Sequence, residues 1–153
     1  MEEVLFKIPL TRWIHGNIEK MNRLGKTDLD NWSDCWFTTY KELGGKSDSS
    51  GSKGCPQHAA YELWQLGRIK DTNIPHRQIP IKFIKQRYGR NAAYAEIALD
   101  LLEKGQAAQS ETDLWFQVQG ILRTTIHENP AESQQGAVTV ARALFDKGQI
   151  VTG

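Results

Sequence analysis

The stretch 29-LDNWSDCWFTTYKEL-43 places Leu29, Trp32, Trp36, Tyr40 and Leu43 at intervals of three and four residues. That spacing puts all five side chains on one face of an α-helix, and Thr27 or Asp28 supplies an N-cap just ahead of it. The same pattern returns later in the chain. Against 34-DCWFTTYKEL-43 stands 113-DLWFQVQGIL-122, with Asp, Trp, Phe and Leu at matching places. Against 58-HAAYELWQLGRI-69 stands 139-TVARALFDKGQI-150, which matches Ala60 to Ala141, Leu63 to Leu144, Trp64 to Phe145, Gly67 to Gly148 and Ile69 to Ile150. The blocks keep their order, at offsets of 79 and 81 residues. A two-residue difference in the intervening loop accounts for the change. An internal duplication is the expected reading.

Each half reads as three helices. The first holds a weak helix with Trp13, Ile14, Ile18 and Met21, interrupted by Gly16. The strong helix of the opening stretch follows, and a third runs from Pro56 to Leu66. Gly67 is expected in a left-handed C′ conformation, with Ile69 packing back behind it. In the second half Tyr94, Ile97, Ala98, Leu101 and Leu102 form a stripe ending at Gly105. Ser110 and Asp113 form a capping-box-like start for the helix carrying Leu114, Trp115, Val118, Ile121 and Leu122. The last helix carries Val138, Ala141, Leu144 and Phe145 and stops at Gly148. Almost nothing alternates with period two. The expectation is therefore an all-α fold, a compact bundle of about six helices built from two similar three-helix halves. It forms a single domain over 1–153, with repeats at about 11–69 and 90–150 and a basic linker at 70–90. Pro75 and Pro80 interrupt that linker, after which Ile81, Ile84 and Tyr88 suit a short helix facing the core.

Bulk composition narrows the function classes. A chain of 153 residues that is 39% hydrophobic and 24% charged is an ordinary globular domain. Its formal net charge of +1 argues against a uniformly basic nucleic-acid binder but allows a local basic patch. The two cysteines, Cys35 and Cys55, are too few for a disulfide scaffold, which points to a reduced, cytoplasmic protein. No signal peptide or membrane span is expected. His15 and His127 are isolated, no metal-ligand spacing occurs, and neither a metal nor a cofactor is expected.

Two segments carry candidate binding chemistry. The first is 47-SDSSGSKGCPQHAAYELWQLGRI-69, where a Ser- and Gly-rich run enters a helix. Unpaired amides of a first helical turn attract anions. Ser50, Ser52, Lys53, Gly54 and Cys55 are the candidate ligand-binding residues there. From Ser47 onward the Gly-Lys-Ser/Thr order of a P-loop is missing, as is a preceding strand. The plainer alternative is a polar loop with Cys55 near the N-cap and Pro56 at the first helical position. Cys55 and His58 are weak catalytic candidates as a thiol pair. A helix start favours thiolate, but the three-residue spacing suits a Cys–His couple poorly and no orienting carboxylate is evident. The matching second-half position is Gly136 or Ala137, so the repeat does not require a thiol. Cys35, flanked by Trp32 and Trp36, reads as core.

The second segment runs from Arg68 to Arg90, with seven basic residues against one acid, Asp71, and with His76, Phe83 and Tyr88 interleaved. Arg77, Lys82, Lys85 and Arg87 are its candidate ligand-binding residues. Cations meet phosphates and aromatics stack on bases. The alternative is a solvated basic face with Phe83 and Tyr88 in the core.

The Ser-rich lead, Lys53-Gly54-Cys55-Pro56, and the helix ending in Gly67 and Ile69 resemble a family of small bacterial helical proteins known only as a domain of unknown function. The segment 91-NAAYAEIALDLLEKG-105, Leu114-Trp115 and His127 with Ser133-Gln134 is similar to that family's second half. The resemblance covers roughly 30–150 and departs at Gln57, where the family has Lys. It implies no activity. The functional expectation is a non-enzymatic binding protein for a phosphate-bearing ligand, nucleic acid or nucleotide, using the helix start and the basic segment. A protein–protein adaptor or inhibitor is the alternative, and a thiol-dependent enzyme using Cys55 the third.

Overall fold

The computed structural model describes residues 4–5, 7–51, 54–70, 72, 74–76, 78–125, 127, 129–131 and 136–151, with only the backbone of residues 4, 50, 54 and 55. A minimal hairpin opens the described chain. Strand β1 (Val4–Leu5) pairs antiparallel with β2 (Ile8–Pro9), Leu5 opposite Ile8. Lys7, in the connecting turn, takes a left-handed φ of 68°, as tight hairpin turns demand. Strands this short leave no period-two signal, and the hairpin was not among the expected elements.

Helix α1 (Leu10–Leu24) buries Leu10, Trp13, Ile14, Ile18 and Met21 and ends at left-handed Gly25. It is not interrupted at Gly16. That glycine lies where α1 crosses α2 (Leu29–Glu42), and a β-carbon on it would come within 2.9 Å of Thr39 Cγ2. Its role is close approach between helices, which outweighs its weak helix propensity. Asp28 caps α2, accepting from the Asn31 amide at 3.0 Å. The aromatic face of α2 is buried as its spacing requires. Trp36 stacks on Trp13 with centroids 4.4 Å apart, and Trp32 stacks on Trp64 at 5.1 Å. The indole Nε1 of Trp13 donates to Trp36 O, and that of Trp32 to Gln57 O. Cys35 is buried, and burial pushes its thiol pKa up.

A four-residue turn of helix, α3 (Asp48–Gly51), leads to α4 (Gly54–Gln65). Gly67 adopts the expected left-handed conformation, φ 75°. It also meets residues 75–76, because a β-carbon there would stand 2.2 Å from Pro75 O. Within the linker lies α5 (Ile81–Tyr88), with Ile84 buried and Ile81 and Tyr88 packed beside it. Then come α6 (Arg90–Glu103), α7 (Glu111–Thr125) and α8 (Ala137–Asp146). Ser110 Oγ accepts from the Asp113 amide at 3.1 Å, and Gly105 and Gly148 are both left-handed.

The centre of the molecule is α6, which packs against α4, α5, α7 and α8. Its apolar residues run nearly all round, as a helix enclosed by neighbours requires. Ala95 and Ala98 are fully buried in one core with Ala59 and Ala60 of α4 and Ala137 and Ala141 of α8, and Ala92 and Ala93 are buried in a second, smaller cluster with Leu66 and Ile84. Small side chains let these helix axes come close. The fold is all-α, with eight helical segments among the described residues; besides the expected six and the expected short linker helix, α5, the addition is α3. No described helix is long and apolar enough to cross a membrane. Ile69 and Ile150, matched by the sequence blocks, form an antiparallel bridge. Lys70 N donates to Gln149 O at 2.8 Å, and Val151 N donates to Arg68 O at 2.7 Å.

Candidate functional site

The basic segment from Arg68 to Arg90 divides into an inward and an outward set. Arg68 points in, with its side chain 4% exposed, and pairs with Glu96 at 2.8 Å and Glu103 at 2.7 Å. Its third contact is to Val151 O. His76, Gln78 and Asp100 complete a small polar cleft around it, of about 170 Å³. Burial lowers the His76 pKa, helped by the Arg68 charge, and burial raises that of Glu96 against the pull of Arg68. Arg68 therefore offers no charge to a ligand. Its guanidinium is spent on the half-buried Glu96 and the more exposed Glu103.

The outward set lies on α5. With Ile81, Ile84 and Tyr88 turned toward the core, helical geometry puts Lys82, Phe83, Gln86 and Arg87 in solvent, and Arg90 continues the face at the start of α6. Phe83 is 47% exposed. Lys82 Nζ lies 5.0 Å from its ring centroid, and the Arg87 guanidinium 5.7 Å from that of Tyr88. Ile79, Phe83, Gln86 and Arg87 line a shallow cleft of about 450 Å³, with no carboxylate among its described lining residues. Lys85 is half-buried and engaged. Of the sequence candidates, Lys82 and Arg87 share this face, and Arg77 lies outside the described residues.

The other candidate segment sits elsewhere. Ser52 and Lys53 lie outside the described residues. Ser50 falls in α3, and Gly54 and Cys55 begin α4, all three without described side-chain placement. The twelve residues of α4 span about 18 Å. Leu66, just past its far end, clusters with Ile84 of α5. The helix start and the α5 face are thus held at opposite ends of α4. The start itself is crowded: Pro56 and Gln57 are buried, and a β-carbon on Gly136, before α8, would approach Pro56 Cα to 3.0 Å. His58 is half-buried, and burial lowers its pKa.

A family model described as "Family of unknown function (DUF6979)" matches residues 15–151. The chain belongs to that family. Comparison with curated proteins and with solved structures finds no match. Membership in DUF6979 carries no activity, and the match does not speak to a bacterial source or to the Ser-rich signature. Among the described residues of this DUF6979 chain, no three His, Cys, Asp or Glu side chains are grouped to hold a metal.

Sequence reasoning missed a larger cleft in this DUF6979 chain, of about 510 Å³, between the β1–β2 turn and the end of α2. Lys7, Ile8, Tyr40, Leu43, Gly44, Gly45, Lys46 and Ser47 line it. The chain after α2 wraps the Tyr40 ring. A β-carbon on Gly45 would stand 2.3 Å from that ring and one on Gly51 2.5 Å, and the Ser47 amide donates to Tyr40 Oη at 2.9 Å. Gly45 and Gly51 answer to Tyr40. The available signal was Gly44-Gly45-Lys46-Ser47, which runs into the first residue of the stretch read as a loop.

Proposed function

We propose that the protein is a non-enzymatic binding protein that takes a phosphate-bearing polymer, single-stranded nucleic acid, on the outward face of α5. The observation that carries this reading is Phe83, a large ring left in solvent beside Lys82 and one turn from Arg87. A ring so placed stacks on any base, while cations along the same face follow the phosphates. Among its described lining residues the adjoining cleft has no acid to repel them. The helix start at Cys55, held at the other end of α4, is not part of this surface. The two halves are read as a duplication. Support comes from the bridge between Ile69 and Ile150, since equivalent residues meet at the axis of a two-fold arrangement. The reduced, cytoplasmic setting inferred from the cysteines goes with this reading.

Fluorescence anisotropy with a labelled single-stranded oligothymidylate tests it. Binding is expected to weaken with salt, and Arg87→Ala to reduce the log–log slope by about 0.7. Phe83→Ala is expected to cost about 1–3 kcal/mol of affinity with the slope unchanged. Salt-independent binding, or a neutral Phe83→Ala, defeats the proposal. A second reading, a protein–protein adaptor, is favoured by Phe116, which stands 59% exposed on α7. It predicts a partner lost with Phe116→Ala and indifferent to salt.

A further inference from the structure

We infer that the cleft between the β1–β2 turn and the end of α2 is a second, independent site, built for a small organic phosphate monoester. It is the most spacious cleft described above, at about 510 Å³, within the range of small-molecule sites. Its walls divide by chemistry. Ile8, Leu43 and the Tyr40 ring give an apolar floor, and Lys7 and Lys46 carry the only formal charges among its described lining residues. Both lysines are exposed, and neither has an ion pair among the described residues. The nearby carboxylate Asp48 is taken by Lys41 at 2.7 Å. Two uncompensated ammonium groups match a phosphate monoester, whose charge near neutral pH is about −1.5 to −2. A carboxylate, with a single charge, leaves one of them unmatched.

The backbone assigns recognition to the side chains. The Gly44 amide donates to Lys41 O at 3.1 Å, the Gly45 amide to Tyr40 O at 2.9 Å, and the Ser47 amide to Tyr40 Oη at 2.9 Å. With these amides committed, the turn is no P-loop nest for a chain of phosphates. It holds one anionic group between two lysines, with the body of the ligand over Tyr40 and Leu43. The left-handed turn at Lys7, φ 68°, and Gly44, φ 100°, fix the two rims from which the lysines extend. They lie 39 residues apart in the chain, so the site exists only when the hairpin is folded against α2.

The test is amide shift mapping by NMR with phenyl phosphate, inorganic phosphate and phenol as probes at low ionic strength. Phenyl phosphate is expected to saturate in the millimolar range with shifts at Lys7 and Gly44 to Ser47. Lys46→Glu or Lys7→Glu, both exposed positions, should weaken it about tenfold or more while leaving the denaturation midpoint unchanged. Inorganic phosphate should bind about tenfold more weakly, and phenol should not saturate. Phe83→Ala, which disables the α5 face, should change none of this. Absence of saturation, shifts confined to α5, equal affinity for inorganic phosphate, or full binding by Lys46→Glu would each overturn the inference.

Discussion

Glu62 of α4 lies against Gly89, so near that a β-carbon on the glycine would stand 2.0 Å from Glu62 Oε1. Gly89 is the N-cap of α6 and has no side chain to cap with, and the Glu62 carboxyl accepts the Ala92 amide in its place. A residue 27 positions upstream thus supplies the missing cap of the central helix. Burial raises the Glu62 pKa to about 8 from 4.5, partly opposed by that amide.

This pair gives stability a distinctive pH dependence. Between about 4.5 and about 8 the native protein holds a proton that the unfolded chain releases. Stability from this group is therefore full below the window and lost as pH rises through it, by at most about 1.4 kcal/mol per pH unit. Glu62→Gln keeps an acceptor for Ala92 and removes the titration. Urea midpoints of the variant should be flat across the window where those of the parent fall, and a parent midpoint that rises there contradicts the assignment. Gly89→Ala should cost on the order of 3 kcal/mol, from the clash and from its φ of 118°.

Arg68 should be structural in its energetics. Arg68→Ala leaves the half-buried Glu96 without its cation and beside the more exposed Glu103, at a cost of roughly 3 kcal/mol at neutral pH. The deficit should shrink in acid, because protonation relieves the repulsion that the guanidinium had neutralised. Paired denaturation curves at neutral and acid pH check this, and a deficit that grows in acid refutes it. Oligonucleotide affinity of the folded variant should not change.

Gly16→Ala in most helices is stabilising, since alanine has the better propensity. Here the new methyl meets Thr39 Cγ2, and the variant should lose about 1–2 kcal/mol. Thr39→Ser removes that methyl and keeps the hydroxyl that donates to Cys35 O at 2.8 Å. In a double-mutant cycle the pair should recover most of the loss. Additive effects would show that the crossing is not limited at this contact.

Tyr40→Phe should loosen the chain after α2 without unfolding the domain. It removes the acceptor of the Ser47 amide, worth about 1 kcal/mol, and leaves the ring that Gly45 and Gly51 pack upon. Hydrogen exchange at Ser47 should quicken while amides within α2 keep their protection. Unchanged exchange at Ser47 would mean the hydroxyl does not hold the turn.

The sequence alone was sufficient for what is local. The spacing of Trp32, Trp36 and Tyr40 specified the α2 face, Thr27 or Asp28 and then Ser110 marked helix starts, and Gly67, Gly105 and Gly148 specified stops. Each of these depends on residues within a turn or two of one another. The all-α class followed from their sum. Only the tertiary structure decided which charges are available. Arg68 and Arg87 are alike in the basic segment, yet one is buried on two glutamates and the other stands in solvent. It also decided why Gly16, Gly45, Gly51 and Gly89 are glycines, and that Lys7 and Lys46 border one cleft. A glycine required by a distant ring or carboxylate leaves no pattern around itself, because the contact that excludes its β-carbon comes from another part of the chain.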